Sequence, residues 1–125
     1  MLISIIVPAY NEEKYIATTL CGIRRAQQRL LNEKGTPPEI IVVDNDSTDS
    51  TPDIAVEFEA QVFSEPVHNV AKVRNAGAVR ANGDILVFVD ADVSVPERLL
   101  CRIYEAMSDA LCMGEAVDTN YRPAK

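Results

Sequence analysis

Three short segments of the chain carry residue types from which a polar site could be built. They are "PAYNEE" (Pro8 to Glu13), "DNDSTD" (Asp44 to Asp49) and "DADVS" (Asp90 to Ser94). In front of the third, an apolar run from Ile85 to Val89 leads straight into Asp90 and, one residue further on, Asp92. A charge leaving a buried segment requires water, a partner or a metal ion. In extended backbone Asp90 and Asp92 project to the same side. There they repel each other unless a cation or water lies between them. Hard oxygen ligands at a rigid strand end suit Mg²⁺ or Mn²⁺, which also takes oxygens from a diphosphate. The simpler alternative is a solvated loop, with Asp92 or Ser94 capping a helix that starts at Pro96.

The other candidates are weaker. Lys72 and Arg74 sit near the start of a predicted helix and could neutralise phosphate oxygens; the alternative is an exposed basic face. Gly77 lies inside that helix, where Gly costs about 1 kcal/mol relative to Ala. Close approach of another backbone is the expected reason. Asp44 closes a strand where dinucleotide-binding folds place a ribose-binding acid, or else it caps a loop. No glycine-rich turn follows Val7, which argues against a dehydrogenase. His68 has no partner recognisable in the sequence and reads as an ordinary loop histidine.

The elements that must position these residues follow from the apolar pattern. Leu2 to Val7 and Ile40 to Val43 are continuous Ile/Val-rich runs, as in strands buried on both faces. A weak strand near Gln61 to Phe63 and another at Ile85 to Val89 complete the set. Between them helices are expected from about Glu12 to Leu31, from Thr51 as N-cap to about Glu59, and from Val70 to Ala81. A further helix is expected from Pro96 to Ser108, then an extended piece around Leu111 to Val117. Alternating strands and helices imply an α/β, Rossmann-like, mostly parallel sheet with helices on both faces. Ligands of such sheets bind beyond the carboxyl ends of the strands, which is where all three polar segments fall.

Length and charge narrow the classes. The chain has 125 residues and a formal net charge of −7, which fits one domain and argues against a general nucleic-acid binder. Cys21, Cys101 and Cys112 are expected to be small buried hydrophobes in a reducing cytoplasm. No signal peptide and no membrane span is expected.

Taken together, "ISIIVPAYNEEKYI", "EIIVVDNDSTDSTPDIA" and "AKVRNAGAVRANGDILVFVDAD" resemble the N-terminal, nucleotide-binding part of the family 2 glycosyltransferases, which have the GT-A fold. The resemblance covers the whole chain, in the family's order. It implies that Pro8, Ala9, Tyr10 and Glu12 line the base and ribose pocket, and that Asp44 and Asn45 hold the base or ribose. Lys72 and Arg74 would face the nucleotide. Asp90 and Ala91 would lie at the ribose or a metal-bound water, and Asp92 would hold Mg²⁺ or Mn²⁺ on the diphosphate. Family members often carry Gly or Asn where this chain has Asp46. The implied partners are a UDP, GDP or dTDP sugar as donor and an unidentified sugar or lipid-linked acceptor, in an inverting transfer.

No residue is identified as the general base; Glu115 and Asp118 are the candidates, against a solvated strand end. The chain is therefore expected to be truncated at its C-terminus, inactive alone, and able to self-associate through the unpaired sheet edge. Two other readings stay open. One is a non-catalytic nucleotide-binding module. The other is a nucleotidyltransferase of similar fold, which would usually carry a glycine- and basic-rich loop after the first strand.

Overall fold

The computed structural model describes residues 1–112, with side chains through Asp109. The elements are β1 (Ile3–Ala9), α1 (Ile16–Lys34), β2 (Glu39–Asp44), α2 (Thr51–Glu57), β3 (Gln61–Ser64), α3 (Val70–Arg80), β4 (Ile85–Phe88) and α4 (Leu99–Cys112). The strands form one parallel sheet in the order β3-β2-β1-β4. Ile3, Ile5 and Val7 pack into one core with Leu20 and Ile23 of α1, Ala55 of α2 and Leu100 of α4. Ile6 points the other way, into a smaller core with Ile41, Val43 and Val73 of α3. Both faces of β1 are thus covered, which is why its sequence is apolar without alternation. Among the described residues no helix is long and apolar enough to cross a membrane.

Several element boundaries differ from the sequence expectation, each for a local reason. Helix α1 begins at Ile16 rather than Glu12. Asn11 is left-handed (φ 50°), and the N–H groups of Asn11, Glu12 and Glu13 donate to Ser47, Thr51 and Asp49 of the next loop. The helix runs on to Lys34, and Gly35, in the left-handed conformation at φ 75°, caps it through an N–H bond to the Leu31 carbonyl. Helix α2 takes Ser50 rather than Thr51 as its N-cap. Helix α4 starts at Leu99, after a turn in which the Leu99 N–H donates to the Pro96 carbonyl. It continues to Cys112, so Leu111 is helical, not extended; residues 113–117 lie outside the described residues. Cys101 is buried as expected, but Cys21 is exposed. The close approach at Gly77 is to the side chains of Ile6 and Val43, not to backbone: a Cβ there would stand 2.5 Å and 3.0 Å from their Cγ2 atoms.

At the end of the sheet opposite the polar loops, Glu39 gathers strands and turns. It accepts from the Ser4 hydroxyl at 2.5 Å, from the Asn82 N–H at 2.5 Å and, more weakly, from the Asn82 and Gln61 amides. Partial burial by itself raises the Glu39 carboxyl, but these donors outweigh it and hold it below its ordinary value. A carboxyl lowered on folding stabilises above its unfolded pKa, and that share is lost as pH falls through the folded value. Glu39→Gln should therefore be less stable than the parent near neutral pH, with the gap closing below about pH 4. Urea unfolding at several pH values tests this; a gap that does not vary with pH would contradict it.

Candidate functional site

Strand register brings the polar segments together. Ala9 is paired with Asp44, and Ile6 with Phe88; beyond these pairs the Asn45 N–H donates to the Ala9 carbonyl and the Val89 N–H to the Ile6 carbonyl. The first two loops are then laced by side chains. Asn11 Oδ1 accepts from the Thr48 N–H, Glu13 Oε2 from the Ser50 N–H, and Asp49 from the Thr51 N–H and hydroxyl. Burial alone raises the Asp49 carboxyl, yet its bonds to Thr51 and to the Glu13 N–H hold it below the ordinary value. Asp46 is left-handed at φ 60°, a conformation favoured by Gly, Asn and Asp. The position is thus constrained by its backbone.

Between these loops and α3 lies a cavity of about 390 Å³. Pro8 and Ala9 line it from the end of β1 and Tyr10 from the loop that follows, Asn45 from just past β2, Val73 and Arg74 from α3, Phe88 from the end of β4 and Asp90 from just past it. Arg74 lies over the Phe88 ring, 4.2 Å from guanidinium carbon to ring centre, so an aromatic face orients the guanidinium. Helix α3 begins at this wall, with the Asn69 side chain accepting from the Lys72 N–H as its N-cap.

Of the residues singled out in the sequence, Pro8, Ala9, Tyr10, Asn45, Arg74 and Asp90 meet in this cavity. Lys72 lines a different hollow, with Ser64, Glu65, Asn75 and Arg80. Glu12 lies in the laced turn, where its carbonyl accepts from the Tyr15 and Ile16 N–H groups. Asp44 is buried next to Asn45; its Oδ2 accepts from the Ser47 N–H at 3.3 Å, while its Oδ1 is buried without a hydrogen-bond partner. A buried orphan acceptor is costly; Asp44 stands beside Asn45 but is not among the residues that line the cavity. Glu115 and Asp118 lie outside the described residues.

The cavity also holds His68, which the sequence marked only as an ordinary loop histidine. The His68 ring packs edge-on to Tyr10, with centroids 4.8 Å apart, and its Nδ1 is 3.2 Å from Asn45 Oδ1. Its sequence surroundings gave no signal, because its partners lie 23 and 58 residues away.

Past β4 burial still alternates, with Val89, Ala91 and Val93 buried and Asp90 and Asp92 half-buried, but Ala91 and Asp92 form a turn rather than the extended backbone that would put both carboxylates on one side. Ala91 is thus a core residue. The Thr19 hydroxyl of α1 makes bonds to the Ala91 and Val93 carbonyls at 3.0 Å and 2.8 Å. These bonds fix the segment that carries both carboxylates. Among the described residues no group of three or more His, Cys, Asp and Glu is arranged to hold a metal ion alone. Mg²⁺ and Mn²⁺ are commonly held by one or two carboxylates, with phosphate and water completing the shell. Asp90, in the cavity lining, and Asp92, in the turn just outside it, match that mode in number and residue type.

A parallel sheet with its cavity at the carboxyl ends of the strands is the Rossmann-like α/β arrangement, which takes its ligands there. The family model for glycosyl transferase family 2 matches residues 4–121, and the chain belongs to that family. It is 34% identical over 95 residues to the putative glycosyltransferase EpsH of Bacillus subtilis, covering 72% of this chain and 26% of the relative. With the dolichol-phosphate mannosyltransferase of Pyrococcus furiosus it shares 31% identity over 114 residues, covering 87% and 31%. Among solved structures, S. aureus TarS 1–349 in complex with UDP-GlcNAc superposes with a TM-score of 0.74 at 29% identity, covering 89% and 32%. Glucosyl-3-phosphoglycerate synthase from Mycobacterium tuberculosis, solved with Mn²⁺ and UDP, gives 0.64 at 27%, covering 85% and 39%. The GT-A architecture expected from the sequence is thus the observed one. The chain spans roughly a third of the length of these relatives.

Proposed function

We propose that residues 1–125 are the donor-binding part of a metal-dependent glycosyltransferase that takes a nucleoside-diphosphate sugar. The observation that carries this is the convergence of Tyr10, Asn45, Arg74 and Asp90 on one cavity at the carboxyl ends of the strands. Tyr10 offers a ring for the base. Asp44, whose Oδ1 is buried without a partner behind the cavity wall, would accept from an N–H or O–H of the nucleoside once the wall gives way to it. Arg74 supplies fixed positive charge. Asp90 and Asp92 would hold Mg²⁺ or Mn²⁺, which when bound neutralises charge on the diphosphate. In an inverting transfer the acceptor hydroxyl attacks the anomeric carbon as its bond to the diphosphate breaks, and a base takes the hydroxyl proton. UDP, GDP and dTDP sugars are the donor candidates, and a sugar or lipid-linked hydroxyl the acceptor. The unpaired cysteines are in keeping with a cytoplasmic setting.

The test is calorimetric titration of UDP, GDP and dTDP with Mn²⁺, with NADH as control. At least one nucleoside diphosphate should bind, and NADH no better than background. Tight NADH binding, or no nucleoside diphosphate binding by the folded chain, would overturn the proposal.

A further inference from the structure

The Asn45 Nδ2 donates to the backbone carbonyls of Glu65 at 2.6 Å and Val67 at 3.0 Å. These two bonds set the orientation of the amide, so Oδ1 is the atom facing His68 Nδ1, 3.2 Å away. An amide oxygen only accepts. The His68 Nδ1 must therefore carry the proton, which leaves Nε2 of the neutral imidazole with a lone pair. The ring is held from a second side by Tyr10, and both rings line the cavity.

We propose that His68 selects the nucleobase. Its Nε2 accepts a hydrogen bond from the ring N–H of a keto base. The cavity then takes diphosphates of uracil, thymine or guanine and disfavours those of cytosine and adenine, whose ring nitrogen at that place carries a lone pair. This rests on the donor-binding reading above. Asn45 then acts as a positioning residue: both ends of its amide are engaged by the protein, and it works through the imidazole it orients.

The experiment is titration of UDP, GDP and CDP, with Mg²⁺, against the 125-residue chain and three variants, at about pH 8. The parent should bind UDP about tenfold more tightly than CDP, as expected for one hydrogen bond made against one denied. His68→Phe keeps a ring against Tyr10 and removes the acceptor; its ratio should fall to about one, chiefly through weaker UDP binding. His68→Gln, which retains an acceptor oxygen, should recover part of the preference. Asn45→Ala should lower the ratio as well, a readout that packing alone would not move. An unchanged ratio in His68→Phe overturns the role of His68 and leaves the donor-binding reading standing. An unchanged ratio in Asn45→Ala overturns the positioning role. A folded chain that binds neither UDP, GDP nor CDP overturns the reading and the inference together.

Discussion

Gly77→Val is expected to destabilise the protein by about 3 kcal/mol, the upper part of the usual range for overpacking a filled core. The midpoint of thermal unfolding should fall by on the order of 10 °C for a domain of this size. The cause is steric. The position faces Ile6 and Val43, and even the first added carbon would meet Ile6 Cγ2 at 2.5 Å. Ile6 and Val43 are β-branched and fully buried, so neither can swing aside without leaving its rotamer. Gly77→Ala should cost less, because the gain in helix propensity, about 1 kcal/mol, offsets part of the clash. The consequence reaches the cavity, since α3 carries Val73 and Arg74 on its wall. Calorimetric melting of the parent and both variants decides the matter. A Gly77→Val midpoint within two or three degrees of the parent would mean that α3 does not sit this close to the sheet.

Asp92→Asn should remove most of the enhancement that Mn²⁺ gives to nucleoside-diphosphate binding, a loss of about tenfold or more, or roughly 1.4 kcal/mol. The residue follows β4 outside the strand ladder and is half-buried. The segment around it is held by the Thr19 hydroxyl through the carbonyls of Ala91 and Val93. Those bonds are untouched by the substitution, and a thermal melt of the variant beside the parent checks that the fold survives. An amide keeps an oxygen but loses the negative charge that a hard cation seeks. Titrations with Mn²⁺ and with chelator, on parent and variant, separate the metal-dependent share from the rest. Equal enhancement in both proteins would remove Asp92 from the metal site.

The sequence by itself determined the sheet and, to within one or two residues, the ends of its strands; β1 runs on through Pro8 to Ala9, paired with Val43 and Asp44. Continuous runs such as Ile3 to Val7 can be satisfied only by burial on both sides, and each run leads into a polar loop within two residues of its end. This placed Pro8, Ala9, Tyr10, Asn45 and Asp90 close to one edge before any coordinates, while Arg74 was brought to the nucleotide only by the family resemblance that the order of the segments carried. Helix starts were less legible. At Glu12 the local signal of acidic residues in a first turn lost to bonds from Asn11, Glu12 and Glu13 to side chains more than thirty residues away.

Only the tertiary structure decided which side chains share the cavity. Lys72 and Arg74 stand two residues apart on one helix, which turns them to different hollows. Asp44 and Asn45 are adjacent, yet one keeps a buried, unpartnered oxygen and the other is fully engaged by the loop after β3. His68 acquired its place through Tyr10 and Asn45, contacts that exist only once three strand ends lie side by side. Periodicity and residue type report on burial along one element. The direction of a side chain toward a partner on another element depends on register and crossover, and these are fixed only when the sheet is assembled.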